Sequence, residues 1–377
     1  MEAVTILIYL NIITYTVFIA RLLYGFPKVK SFQNTPTTPK TTFSIIIPFR
    51  NEAEHLPELL ASLSQLNYPT SLFEILFVDD ASEDQSAAII TRWRMENGLF
   101  QTTVLDNLRL TGSPKKDAIT RAIPVIHNQW IVTTDADCIV KENWLLTLDN
   151  YIQENEVSMV VGAVTYTSNT SFLHRFQQLD LISLQGATLG SFGLKKGFMC
   201  NGANFAYTKS LFLELEGFKG NEAIASGDDV FLLQKAILAR PDSVHYLKSE
   251  ATIVQTKPLN SWNSVFHQRV RWASKTTAYQ NDYAEALAMA VFFGNSSLLV
   301  AFGLSLFNLL LWPHFIVLFL IKFSVDLVLL QRTHTFISTQ KFKLPLLSSL
   351  LYPVFSTTVA LYSLMGKYHW KGRVFKK

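Results

Sequence analysis

Ala286 to Ile321 runs for 36 positions without an Asp, Glu, Lys or Arg. A bilayer-crossing helix takes roughly 20 apolar residues, so this run suffices for about two crossings if Phe323 to Leu330 extends the second. Pro313 is the natural break between them, because proline removes a helical hydrogen bond and clashes with the preceding turn. Two shorter stretches read alike. Ala3 to Ala20 carries no charge in 18 positions and Leu344 to Gly366 none in 23. Each is expected to enter the membrane once. Only 16% of the 377 residues are charged, against about 25% in ordinary soluble proteins. Lys322 and Asp326, four apart, fall inside one apolar segment, where the simplest reading is a local ion pair.

The first stretch begins Met-Glu, and its basic residues Arg21, Lys28 and Lys30 come after the apolar run. That order suits an uncleaved anchor whose C-terminal side is cytoplasmic. Residues 1–25 are then a transmembrane anchor. Residues 26–42, rich in Pro and Thr, read as a linker, and 43–257 as a cytoplasmic domain. An interfacial helix region follows at 258–284, a membrane helix pair at 285–331 and a last membrane segment at 344–366. A basic tail, 367–377, holds Lys367, Lys371, Arg373, Lys376 and Lys377. Four crossings would put this tail outside, whereas the positive-inside tendency favours the cytoplasm. The net charge of +4 is too small to suggest nucleic-acid binding. Cys138 and Cys200 lack metal-site spacing and read as small buried residues.

The middle domain alternates strand and helix signals. Phe43 to Pro48 and Phe73 to Val78 are continuous apolar runs, as in strands buried on both faces. Thr102 to Leu105 and Trp130 to Thr134 read as two more strands. Helical spacing covers Glu54 to Gln65, Asp84 to Met95 and Lys115 to His127. This alternation predicts an α/β fold with a mostly parallel sheet. Ligands of such sheets bind outside the carboxyl ends of the strands.

Those ends are acidic. The first strand runs into Arg50-Asn51-Glu52, the second into Asp79-Asp80-Ala81-Ser82, and the fourth into Asp135-Ala136-Asp137. No glycine-rich phosphate loop follows any of them, which excludes a dinucleotide fingerprint and a P-loop. Five carboxylates at one sheet edge would repel one another unless a hard cation or a hydrogen-bonding ligand relieved them. Mg²⁺ or Mn²⁺ is expected, because both favour oxygen ligands and bind diphosphates. Ser226-Gly227-Asp228-Asp229 precedes a helical pattern and reads equally as a helix start with acids in its first turn. Gln268-Arg269-Val270-Arg271-Trp272 lies just before the long apolar run.

In this order the motifs resemble family 2 glycosyltransferases of the GT-A fold. The likeness is to their membrane-bound branch, with cellulose, chitin, hyaluronan and poly-N-acetylglucosamine synthases and ceramide glucosyltransferase. It covers about residues 42–275. It implies a membrane-bound, inverting hexosyl- or N-acetylhexosaminyl-transferase that uses a nucleotide-sugar donor and a lipid-linked or saccharide acceptor. Processive polysaccharide synthesis is the alternative, and a non-enzymatic transporter or scaffold the distant rival. Pro48, Glu52 and Asp80 would line the nucleoside pocket. Lys115 or Lys116 would lie near the donor. Asp135 would bind donor and metal, and Asp137 the metal. Asp229 stands at the general-base position. Gln268, Arg271 and Trp272 would serve the diphosphate and acceptor, with Asp228 beside them and Asn204 on an acceptor-facing strand. Two departures stand out: the usual Glu-Asp pair is Asp228-Asp229, and the membrane portion is small for a polymer-extruding synthase. The resemblance and the charge order together imply a bacterial cytoplasmic membrane.

Overall fold

A computed structural model describes residues 2–376 except 36, 168, 169, 223, 225, 280, 339, 341, 344, 366, 371 and 372. After α1 (Glu2–Gly25) come β1 (Phe43–Phe49), α2 (Leu56–Ser64), β2 (Phe73–Asp79), α3 (Ser86–Glu96), β3 (Gln101–Asp106) and α4 (Pro114–Ala122). Next are β4 (Trp130–Thr133), β5 (Cys138–Ile139), α5 (Trp144–Glu154), β6 (Met159–Val161), β7 (Val164–Tyr166) and the long α6 (Phe172–Gly193). Then follow β8 (Phe205–Thr208), α7 (Lys209–Glu214), α8 (Asp228–Ala239), β9 (Val244–Tyr246), β10 (Val254–Thr256) and α9 (Trp262–Ser274). The chain closes with α10 (Asp282–Leu306), α11 (Trp312–Ile337), α12 (Leu346–Met365), β11 (Lys367–Trp370) and β12 (Arg373–Lys376).

The chain forms two compact units. One comprises residues 30–168 and 199–258. Its seven-stranded sheet has the order β3-β2-β1-β4-β8-β6-β9. β1 pairs in parallel with β2 and β4, and β2 with β3, whereas β8 runs antiparallel to β4 and β6. A three-stranded sheet, β5-β10-β7, completes the unit. The apolar runs form the predicted strands, and Ile45, Ile46 and Ile47 are fully buried because helices cover both faces. Strand order reverses between β1 and β4, so a crevice opens beyond their carboxyl ends.

The other unit holds residues up to 29, 169–198 and 259 onward. Among the described residues, four of its helices are long and apolar enough to cross a membrane: α1 with its following turn, α10, α11, and α12 from Leu346 to Leu364. Pro313 lies in the first turn of α11, where its missing N–H costs nothing. Pro353 lies inside α12, which continues through it. Lys322 binds Asp326 at 2.7 Å within α11, and Tyr15 of α1 donates to the same carboxylate at 2.5 Å. The expected local pair thus also links two helices.

The boundaries differ from the expected ones in two places. Most of the expected linker belongs to the sheet-bearing unit: Ser31 bridges to Lys248, Thr41 N–H donates to the buried Asp149 at 2.9 Å, and Asn150 donates to Thr35 C=O at 2.8 Å. Helix α6, expected inside the catalytic domain, packs instead on α1. A Cβ on Gly193 would lie 1.9 Å from Gly25 O, and one on Gly190 2.6 Å from Leu22 O, so only glycine permits this approach. Strands β11 and β12 pair within the basic tail. Leu344 and Gly366, which bound the last expected segment, and Lys371 and Lys377 lie outside the described residues.

Candidate active site

The ends of β1 and β2 are bound into one edge. Asn51 and Ala81 adopt φ of +51° and +59°, a left-handed conformation that costs a non-glycine residue about 1 kcal/mol or more. Cross-links hold both turns. Asn51 N–H donates to Ser82 Oγ at 3.1 Å, Glu83 N–H donates to Asn51 Oδ1 at 2.8 Å, and Arg50 donates to the carbonyls of Asp80 and Ala81. Asp79, the last residue of β2, accepts from Ser82 N–H and Oγ. Glu52 is buried, and its N–H donates to Ser86 Oγ at 2.8 Å. Pro48 is half-buried in β1, opposite Val78.

Asp80 is buried and faces Arg109. The guanidinium donates from Nε to Oδ1 at 2.7 Å and from Nη2 to Oδ2 at 2.6 Å, and Asn107 Nδ2 adds a bond to Oδ1 at 2.8 Å. The loop carrying Arg109 is pinned by Asp117, which accepts from Leu110 N–H, Thr111 N–H and Thr111 Oγ1. The sequence reading missed Arg109, Asn107 and Asp117. The available signal was the isolated basic residue in Asn107-Leu108-Arg109, directly after β3 and flanked by acidic strand ends.

The two lysines of α4 face different surroundings. Lys115 Nζ lies 2.6 Å from Asp135 Oδ1 and 3.3 Å from Asp228 Oδ2. Burial alone would lower this ammonium, but Asp135 and Asp228, with Asp229 beyond them, outweigh it and hold the group well above the ordinary lysine value. Lys116 is buried, its Nζ donating to the carbonyls of Asn221 and Ile224 at 2.6 and 2.9 Å and lying over the Phe231 ring. Lys115 therefore joins the acidic cluster, while Lys116 ties α4 to the segment before α8.

Helix α8 begins at Asp228 behind Gly227, whose φ of +86° favours glycine. Both acids thus occupy its first turn. Asp229 accepts from Gly202 N–H at 2.9 Å and from Val230 N–H at 2.7 Å. A Cβ on Gly202 would lie 3.0 Å from both Asp228 Oδ2 and Lys115 Nζ, so glycine keeps this space open. Asn204, expected to face an acceptor, is 2% exposed and fully engaged. Its amide nitrogen donates to Ala163 O and Thr252 O, and its oxygen accepts from Trp144. It joins β8 to the neighbouring elements and has no N–H left to offer a ligand.

Asp135 and Asp137 flank the turn between β4 and β5. One carboxylate oxygen from each and Cys138 Sγ lie within 4.8 Å of one another. Burial, followed by the charges of Asp137 and Asp135, pushes the Cys138 thiol well above its usual range. The carboxylate oxygens of Asp135 and Asp137 are hard donors of the kind that fit Mg²⁺ or Mn²⁺. Gln268, Arg271 and Trp272 lie on α9, in the helical unit.

Known proteins share this fold. A mannosyltransferase from Pyrobaculum calidifontis, PcManGT, solved in complex with GDP-Man and Mn²⁺, superposes with a TM-score of 0.64 at 15% identity, covering 96% of this chain and 98% of that one. That likeness identifies the GT-A fold. Poly(ribitol-phosphate) beta-N-acetylglucosaminyltransferase TarS of Staphylococcus aureus is 27% identical over 119 residues, 32% of this chain and 20% of the relative. Beta-monoglucosyldiacylglycerol synthase of Trichormus variabilis is 25% identical over 236 residues, 61% of this chain and 48% of the relative. The chain thus spans a fifth to about half of these curated relatives. Residues 44–215 match the profile of Glycosyl transferase family 2, and residues 130–329, over half of the chain, match Glycosyl transferase family group 2. With this match laid over the acidic strand ends and the Lys115 cluster, the chain belongs to glycosyl transferase family 2.

Proposed function

We propose that this protein transfers a sugar, with inversion, from a nucleoside diphosphate to a lipid-linked acceptor at the surface of a bacterial cytoplasmic membrane, with its sheet-bearing unit in the cytoplasm. The observation that carries this reading is the cluster of Lys115, Asp135, Asp228 and Asp229 beside Asp137. Four helices long and apolar enough to cross a bilayer support a lipid-linked acceptor. So does the glycolipid named in the Trichormus relative. Processive synthesis is the weaker reading, because the membrane helices among the described residues are few.

Asp80 and Arg109 hold the nucleoside. Asp135 and Asp137 would hold Mg²⁺ or Mn²⁺, which when bound would supply positive charge against the diphosphate. Lys115 keeps its proton and adds a fixed cation on the same side. Asp229 takes the proton of the acceptor hydroxyl as its oxygen attacks the anomeric carbon. The carbon–oxygen bond to the diphosphate breaks, and the nucleoside diphosphate leaves with the electron pair. The family resemblance assigns Gln268, Arg271 and Trp272 to the diphosphate and acceptor.

The test uses full-length protein in detergent with UDP-, GDP- and dTDP-sugars and Mn²⁺, following melting temperature and nucleoside diphosphate release. One nucleotide series is expected to raise the melting temperature and to be turned over. No shift and no release with any of them would overturn the reading.

A further inference from the structure

Helix α9 brings Gln268, Arg271 and Trp272 together with Arg269, to which the sequence reading gave no role. Arg269 is 5% exposed. Its Nε donates to Asp180 Oδ2 of α6 at 2.5 Å, and the Asp180 side chain is equally buried. Its Nη1 donates to Gln268 Oε1. Its guanidinium carbon lies 4.2 Å from the centroid of the Trp272 ring. One planar group thus meets a carboxylate, an amide and an indole. Arginine can do this because its donors fan out in one plane whose face stacks on aromatics. Lysine, a point charge on a flexible stem, can satisfy the carboxylate but cannot stack a flat face on the indole while it meets the other two partners.

We propose that Asp180 and Arg269 are positioning residues for the acceptor-side motif. Asp180 holds the guanidinium, and the guanidinium fixes Gln268 and Trp272. With Gln268 Oε1 engaged, the amide turns its N–H groups away from Arg269, ready to donate to a ligand oxygen. With the Arg269 cation over one face of Trp272, the indole is fixed in orientation. The contact from α6 to α9 thereby sets the geometry of two motif residues that Asp180 does not touch. This rests on the glycosyltransferase reading above.

The test uses full-length Asp180→Asn, Arg269→Lys and the double variant, each with and without Trp272→Phe. Arg269→Lys keeps a cation for Asp180 and so preserves the fold if Asp180→Asn fails to melt cooperatively. The Trp272 contribution to tryptophan emission, taken as the difference from the Trp272→Phe spectrum, should shift in each variant. With the nucleotide sugar that the wild type turns over among UDP-, GDP- and dTDP-sugars, kcat should fall about 10- to 100-fold, as for misplaced reacting groups. Donor KM should stay within about threefold, since the expected loss lies in orientation rather than donor binding. The double variant should be no worse than the poorer single one, because both changes break one chain of contacts. Unchanged Trp272 emission in Arg269→Lys, or additive losses in the double variant, would overturn the proposal. If the wild type turns over none of these sugars, the glycosyltransferase reading fails, and the emission measurement alone decides the coupling.

Discussion

Arg109 grips Asp80 through two parallel bonds of 2.7 and 2.6 Å, so the acid expected to meet the nucleoside already has a cation partner. Arg109 is 39% exposed at its side chain, and solvent screening holds the pair's contribution to stability to about 1 kcal/mol or less. Its effect should appear in binding. Asp80→Asn removes the charge that orients Arg109, and Arg109→Lys loses the two-pronged geometry. Each should raise donor KM about 10-fold or more, as expected for a lost charged hydrogen bond, with melting temperature nearly unchanged. Donor saturation curves for both variants check this; a normal KM in both would remove the pair from the donor site.

Lys115 bears on pH dependence. Its folded value lies above that of the unfolded chain, which is about 10.4. Its ion pairs are therefore fully present below about pH 10.4 and are lost only as pH rises through the higher folded value. Between pH 6 and 9 the pH–rate profile should show no step from Lys115, and Lys115→Arg should keep the shape of that profile. Lys115→Met should lower turnover sharply at every pH by leaving Asp135 and Asp228 without their cation. An alkaline step near pH 8 that moves in Lys115→Arg would contradict this.

Asp137→Ala should abolish turnover of the donor. EDTA should do the same to the wild type until Mg²⁺ or Mn²⁺ is restored. The basis is the Asp135 and Asp137 carboxylates, whose oxygens lie within 4.8 Å of each other. Full transferase activity in metal-free buffer would exclude a metal role for Asp135 and Asp137.

Much of the sheet was legible because its strands carry an unmixed signal. Ile45, Ile46 and Ile47 are buried on both faces and read as one apolar run. Asp135 was visible as a strand-end acid, and Asp228 and Asp229 as acids ahead of a helical pattern, a place that helix-terminus stabilisation alone also favours. Three things were not. The choice between Lys115 and Lys116 depends on which way α4 is turned, which adjacent residues cannot reveal. The Asp80 partner comes from a loop 29 residues away, fixed by Asp117 rather than by any local pattern. Helix α6 contains Arg175 and Asp180 and so reads as part of a soluble domain. The Gly190 and Gly193 pair, which lets helices approach closely, was the overlooked sign that it packs on α1, while Gly186 faces Leu329 and Thr333 of α11.

The C-terminal tail should remain cytoplasmic. Helix α12 is the least apolar of the four candidate spans and contains Pro353. The residues after it carry five basic side chains, which disfavour translocation. Since α12 is continuous through Pro353, one candidate span that lies along the interface without crossing reconciles these facts. In intact cells a Lys377→Cys variant should label poorly with a membrane-impermeant maleimide and well after permeabilisation. The native cysteines, both buried, should contribute little. Strong labelling of intact cells would instead mean that all four helices cross.

The roles of Asp228 and Asp229 separate by mutation. Asp228 lies 3.3 Å from the Lys115 ammonium and is engaged with it. Asp229 is held by the Gly202 and Val230 N–H groups, which fix where its carboxylate points. Asp229→Asn keeps size and polarity but loses the basic oxygen. General-base contributions are about 10²- to 10⁴-fold, or roughly 3 to 5.5 kcal/mol of barrier. Turnover by Asp229→Asn should fall by that much, while donor affinity stays within a few-fold. Asp228→Asn should be milder, and its loss should track the loosening of Lys115. If the two acids served only to start α8, the pattern would reverse: near-normal rates in both variants and a lower melting temperature, by about 1 kcal/mol of helix-terminus stabilisation. Rate, donor affinity and melting temperature measured together for the two variants distinguish these outcomes. A fully active Asp229→Asn would place the base elsewhere.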